Sequence, residues 1–348
     1  MKIAAIPENA FELVLALCGA VPTPLLDTFQ SIVRARAIMV GTKVGIFEVL
    51  RDGPLIAAEV ARRLRINPAA TEAMLDTLVG SGYLRFADRH YRLTRGARKW
   101  LLADSPSSLR DNMLHRFLEW KALEHAEEFV RTGAPLNVHD QLSAEEYGIY
   151  QRGMRSLAGV SAGEVSRRLP VRAGARDILD IGGSHGYYSV RLCRRHPDLR
   201  ATILDLPRAI PSARPLLEKE GMGDRIVYRA EDVLEADLGV ERWDLVLVSQ
   251  LVHHFDEETN VALLARIARS LRTDGTMAIL EILRPDSPGR AGQTGAVLNF
   301  FFALTSLSGC WSLREITDWQ RRAGLLPRKP IYLRSIPGAA IQSAVKSQ

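Results

Sequence analysis

The residues best suited to chemistry stand in the second half of this 348-residue chain. Asp180-Ile181-Gly182-Gly183-Ser184-His185-Gly186 sets an acid in front of a glycine-rich loop. Glycines there let the chain turn tightly and let a ligand approach the main chain. Asp205 ends the next apolar run, and an acid about 20 residues beyond such a loop takes ribose hydroxyls. Glu231-Asp232, Ser249, His253-His254 and Glu281 close later apolar runs. Carboxylates at the ends of successive parallel strands face one ligand crevice. The Gly-Gly-Ser-His-Gly order preceded by Asp180 departs from the Gly-x-Gly-x-x-Gly loop of nicotinamide enzymes.

Positioning these groups requires strands that alternate with helices. Residues 175–181, 201–204, 226–230, 243–248 and 276–282 read as short apolar strands, and 187–195 and 257–271 as helices between them. Asp274-Gly275 marks a turn before the fifth strand. This alternation predicts an α/β, Rossmann-like sheet.

The first hundred residues differ. Residues 8–50 and 56–64 read as helical, and Asn67-Pro68 opens a further helix with Asn67 as cap. Ala73, Met74, Leu75, Leu78 and Val79 are expected to point inward there, and strands at 82–86 and 91–94 flank a turn at 87–90. Helix, turn, helix and hairpin form a winged helix. Its second helix carries Glu72 and Asp76 with no Lys or Arg, which opposes docking on phosphates. A structural or dimerising module is the expectation, and no nucleic-acid partner. Asp104-Ser105-Pro106 marks a boundary, with helices at 147–157 and 160–168 beyond it. The expected division is a helical winged-helix dimerisation domain at 1–106 and a second domain at 107–348. Within the second, 107–170 form a helical linker and 171–348 the Rossmann-like core.

The net charge of +6 is spread along the chain without a basic run, so it steers weakly toward anions and specifies no partner. Cys18, Cys193 and Cys310 are far apart and lack metal-ligand spacing. They favour a reducing, cytoplasmic setting with no disulfide framework and no metal. The apolar stretches 11–21 and 296–307 are too short to span a bilayer, and no signal-peptide pattern opens the chain.

Taken in order, Asp180-Ile181-Gly182-Gly183-Ser184-His185-Gly186, Leu204-Asp205-Leu206-Pro207, Glu231-Asp232-Val233 and Val252-His253-His254-Phe255-Asp256-Glu257-Glu258 form a specific set. From about residue 30 to 345 the chain resembles the plant caffeic-acid-type O-methyltransferases and their bacterial natural-product relatives. The winged N-terminal module matches that family's dimerisation domain. The resemblance implies S-adenosyl-L-methionine as cofactor, a small hydroxylated acceptor and a homodimer. It implies that Gly182, Gly183 and their neighbours lie around the methionine part and ribose, that Asp180 contacts the ligand through water or holds the loop, that Asp205 takes the ribose hydroxyls with Leu206 beside it at the cofactor, and that Asp232, or Glu231 next to it, and Val233 flank the adenine. Ser249 stands where many plant members carry lysine. His253 matches the general base, Glu281 the carboxylate that orients it, Met154 a methionine near the acceptor ring, and Asn299 the helix lining the pocket. The chain departs from the pattern at Cys310, which replaces a second catalytic carboxylate.

The implied chemistry is coherent. A sulfonium methyl is already activated, so alignment is the main task. A phenol with a pKa near about 10 is largely neutral at pH 7. A neutral imidazole takes its proton as the methyl arrives, and a carboxylate behind the imidazole fixes the tautomer. Two other readings remain. Cys310 allows a related enzyme with another outcome, such as C-methylation or decarboxylation with hydroxylation. The winged module allows a DNA-binding metabolite sensor. His254 is expected to cap or face solvent, and His185 to lie exposed on its loop.

Overall fold

The computed structural model describes residues 4, 6–287 and 292–347. The chain divides into two compact units, one ending at Phe117 and the other starting at Leu118.

In the first unit, helices Ser31–Val44, Ala57–Leu64 and Pro68–Gly80 lead into strands β1 (Leu84–Ala87) and β2 (His90–Leu93). Asn67 caps its helix by accepting from the Ala70 amide at 3.0 Å, with Pro68 in the first turn. The hairpin is tighter than expected, because Asp88 and Arg89 adopt φ of 51° and 63°. Two successive left-handed residues make a two-residue turn whose twist matches the strands. Ile46, Phe47, Leu50, Leu75, Leu78, Leu84 and Tyr91 form the core. Ala73, expected inside, is exposed, and Thr71 is buried in the same helix.

In the second unit the expected alternation is present. Strands β3 (Asp177–Ile181), β4 (Arg200–Asp205), β5 (Ile226–Ala230), β6 (Trp243–Ser249) and β7 (Leu271–Ile282) are parallel neighbours in the order β5-β4-β3-β6-β7. The order reverses between β3 and β6, where the carboxyl ends of the strands open a ligand crevice. Every residue of β6 is buried, as a central parallel strand covered on both faces requires. Leu179, Ile181, Val246 and Val248 face one core, and Ile178, Leu245, Leu247 and Leu280 the other. Each such side chain contributes roughly 1.5–3 kcal/mol.

Three strands continue the sheet beyond that reading: β8 (Leu325–Pro327), β9 (Ile331–Tyr332) and β10 (Ala339–Lys346), with β10 antiparallel to β7. The helices expected at 147–157 and 160–168 are one helix, Ala144–Arg168. A glycine costs a helix only about 1 kcal/mol, less than burying Ala158, Ala162 and Val165 returns. Among the described residues, no helix is long and apolar enough to cross a membrane.

Candidate active site

The loop after β3 is shaped by close approach. Gly182 has φ 64°, and a Cβ on Gly183 would come 2.6 Å from the Asp180 carboxyl carbon. Asp180 is 1% exposed. Its Oδ2 accepts from the Ser189 hydroxyl at 2.7 Å, and its Oδ1 finds no donor among the described residues. Burial pushes its carboxyl up to about 7. Asp205, at the end of β4, binds the loop back: it accepts from the amides of Ser184 and Leu206, each at 2.8 Å. Burial raises its carboxyl and these two bonds oppose the rise. The Ser184 hydroxyl donates to Gln151, and the Tyr228 hydroxyl donates to the Ser184 carbonyl at 2.9 Å.

His185 is buried, contrary to its expected exposure. Its Nδ1 accepts from the Tyr187 amide at 3.1 Å, and burial lowers its pKa to about 3, so the ring stays neutral. A hydrogen bond joins it to the backbone of Met154, which is half-buried on the helix Ala144–Arg168. Ser249 is buried at the end of β6 and bonds the Tyr188 hydroxyl. Asp232 is exposed and accepts from the Leu234 amide at 2.9 Å, while Val233 packs into the core.

Beyond β6 the chain forms a tight turn, Val252–His254. Asn260 donates to the carbonyls of Val252 at 2.9 Å and Phe255 at 3.0 Å, and the Trp311 indole donates to Val252 at 3.0 Å. The turn aims His253, 3% exposed, at Glu281, 1% exposed, with Nδ1 and Oε1 3.1 Å apart. The same oxygen accepts from the Ile282 amide at 3.2 Å. A carboxylate only accepts, so Nδ1 is assigned the hydrogen and Nε2 keeps its lone pair. Phe302 stacks on the imidazole at 4.0 Å.

His254 is also placed differently from expectation. It is partly buried, 4.3 Å from His253 and 5.1 Å from His139, ring to ring. Burial, then His253 and His139, hold it well below the usual imidazole range. Cys310 is buried and its amide donates to Asn299 Oδ1 at 3.0 Å. Burial pushes its thiol up to about 12; Glu281 adds to the rise and Arg284 opposes it. The residue is therefore an uncharged thiol.

The expected residues thus fall into two groups. Asp180, Gly182, Gly183, Asp205 and Leu206 surround the glycine loop. His253, Glu281, Cys310 and Asn299 are linked through hydrogen bonds, charge and the Phe302 stack. Asp232 is exposed, and it follows Glu231, whose amide donates to the Asp205 carbonyl at 3.1 Å. Gln151, Ser189, Asn260 and Trp311 are supports that sequence reasoning missed. Nothing in their local sequence distinguishes them, because Asn260 follows Asp256-Glu257-Glu258-Thr259 and Gln151 precedes Arg152.

Comparison with known proteins agrees with this architecture. Residues 26–103 match the O-methyltransferase dimerisation domain and residues 121–321 the O-methyltransferase domain. The 3-hydroxy-5-methyl-1-naphthoate 3-O-methyltransferase of Streptomyces sahachiroi is 30% identical over 332 residues, covering 91% of this chain and 93% of the relative. The mitomycin biosynthesis 6-O-methyltransferase of Streptomyces lavendulae is 26% identical over 302 residues, covering 83% and 84%. The fold is also that of human N-acetylserotonin methyltransferase in complex with SAM, with a TM-score of 0.83 at 18% identity, covering 99% of this chain and 100% of the other. The chain belongs to the O-methyltransferase family. It is an S-adenosylmethionine-dependent enzyme of the natural-product type, and its acceptor is a small molecule.

Proposed function

We propose that this enzyme methylates a hydroxyl on an aromatic metabolite, with His253 as general base. The observation that carries the reading is the buried His253–Glu281 pair, which leaves Nε2 as the free acceptor of a proton. The cofactor supplies an activated sulfonium methyl. Phe302 and Glu281 keep the imidazole in place, and His253 draws off the hydroxyl proton as the oxygen is alkylated.

The residues around the glycine loop fit the cofactor. Asp205 is already oriented by two amides and retains lone pairs for ribose hydroxyls. The buried Asp180 Oδ1 lacks a donor, and Gly182 and Gly183 leave the main chain open to a ligand. Leu206 and Ser249 border this region, and Asp232 with Val233 forms its adenine side. Met154, Asn299 and Cys310 belong to the acceptor side. The Streptomyces sahachiroi relative acts on a hydroxynaphthoate by name, which supports an aromatic acceptor. The dimerisation-domain match supports a homodimer, and the free cysteines suit the cytoplasm.

The test is a mass-spectrometric screen of hydroxynaphthoates and hydroxybenzoates with methyl-labelled cofactor. Label on a phenolic oxygen is expected. Label on carbon, or an oxygenated product without label, would replace this reading with the alternative that the neutral Cys310 thiol favours.

A further inference from the structure

Folding gathers charge that the sequence leaves without a consecutive run. From Arg85 to Lys99, six exposed cations, Arg85, Arg89, Arg92, Arg95, Arg98 and Lys99, stand against one carboxylate, Asp88. This stretch holds five of the chain's six net positive charges. Strands β1 and β2 place Leu84, Tyr91 and Leu93 on the buried face of their hairpin. Alternation sends Arg85, Ala87, His90 and Arg92 to the outer face. The register sets Arg85 directly opposite Arg92 and Ala87 opposite His90, with Arg89 in the turn between them.

Like charges directly opposite one another destabilise a strand pair. Other arginines of the same unit find carboxylates: Arg51 pairs with Glu48 and Asp104, and Arg62 and Arg63 share Glu59. Among the described residues, no carboxylate pairs with Arg85, Arg89, Arg92 or Arg95. Beside the arginine pair lies a recess lined by Pro54, Ala87, Asp88, His90 and Arg92.

Chemistry separates the candidate partners. A nucleic-acid duplex would also meet Glu72 and Asp76, exposed one turn apart on the helix Pro68–Gly80. These acids adjoin the hairpin, since the Tyr91 hydroxyl donates to Asp76 at 2.7 Å. An anionic membrane needs an apolar anchor besides charge. The outer face offers only Ala87, because Phe86 lies on the Tyr91 side, with ring centroids 4.7 Å apart. A second copy would bring the same cations to a two-fold contact. A short acidic segment of another protein meets none of these obstacles. Four residues span roughly 13 Å of strand, and carboxylates accept paired hydrogen bonds from guanidinium groups.

We propose that the outer face of this hairpin docks an acidic segment of a partner protein. Its carboxylates bind Arg85 and Arg92, and one of its side chains enters the adjoining recess.

Fluorescence anisotropy of the full chain with a labelled oligo-glutamate peptide tests this. Binding is expected at low salt and should weaken as salt rises. Arg85→Gln with Arg92→Gln should lower affinity by roughly threefold to thirtyfold, the effect of two exposed ion pairs. Arg195→Gln with Arg321→Gln removes the same charge at exposed positions elsewhere and should change affinity by less than about twofold. The hairpin variant should melt no lower than the wild type, because a like-charge pair is relieved. No peptide binding, equal weakening in both variants, or a lower melting temperature of the hairpin variant overturns the proposal. So does tighter binding of a DNA duplex or of phosphatidylglycerol vesicles that depends on Arg85 and Arg92, which would assign the face to a nucleic acid or a membrane.

Discussion

His253 can serve as a base only while Glu281 holds the hydrogen on Nδ1, and both side chains are almost wholly buried. His253→Ala should therefore lower turnover of a phenolic acceptor by about 10²–10⁴-fold with cofactor affinity nearly intact. Glu281→Gln should cost less, because an amide oxygen still accepts from Nδ1 but no longer balances an imidazolium. Steady-state kinetics with calorimetry checks both; a loss of cofactor affinity that tracks the loss of rate would sink the assignment. Asp180 gives a second prediction. Its folded value of about 7 lies above the usual value of about 3.9. Between these values the folded chain holds a proton that the unfolded chain has released. This contribution to stability is therefore complete below about pH 4 and lost as pH rises through about 7. Asp180→Asn removes it, so the melting temperature of the variant relative to wild type should climb with pH from about 5 to 8. A constant difference over that range would show that Asp180 does not titrate there.

At the level of elements, the turn Val252–His254 depends on neighbours distant in sequence. Asn260 is fully buried and donates to the carbonyl of Val252 in the turn and of Phe255 just after it, and Trp311 also donates to Val252. Asn260→Ala leaves the Phe255 carbonyl without this donor, so stability should fall by about 1–3 kcal/mol. Turnover should fall more than cofactor affinity, because His253 rides on that turn and the glycine loop does not. Denaturant melts and calorimetry separate the two effects. The elements also show what local pattern conveys. The helix Tyr187–Arg195 and strand β5 have their expected limits, since each has one dominant period and clear breakers. Strand β10 was missed, because Ala339-Ala340-Ile341-Gln342-Ser343-Ala344 has neither β-branched density nor alternation. Its strand character comes from pairing along β7, which also buries Gln342 against Gln320.

At the scale of the whole molecule, the apolar surface before residue 34 calls for a partner. Phe11, Leu17, Phe29 and Ile32 are 71%, 79%, 64% and 50% exposed, and the helix Ala10–Leu17 buries none of its residues within the chain. Exposed apolar patches of this kind mark association surfaces. Light scattering should show a dimer at micromolar concentration, and Phe29→Glu with Ile32→Glu should shift it toward monomer. A stable, active wild-type monomer would refute the expected assembly.

Local chemistry made much of this protein legible. The glycine loop, the acid at the end of β4, the Asn67 cap and the β/α alternation each follow from residue types over a few positions, where backbone conformation and solvation are decided nearby. The partners of the reactive groups were decided over long range. Ser249 pairs with Leu280 in the register between β6 and β7, and that register brings the turn of His253 beside Glu281. Packing of residues 134–142 brings His139 to His254, so that a ring expected in solvent lies in a cluster of imidazoles. His185 is buried because the helix Ala144–Arg168 covers the loop through Met154 and Gln151. Burial and electrostatics depend on which surfaces meet, and a one-dimensional pattern carries no term for that.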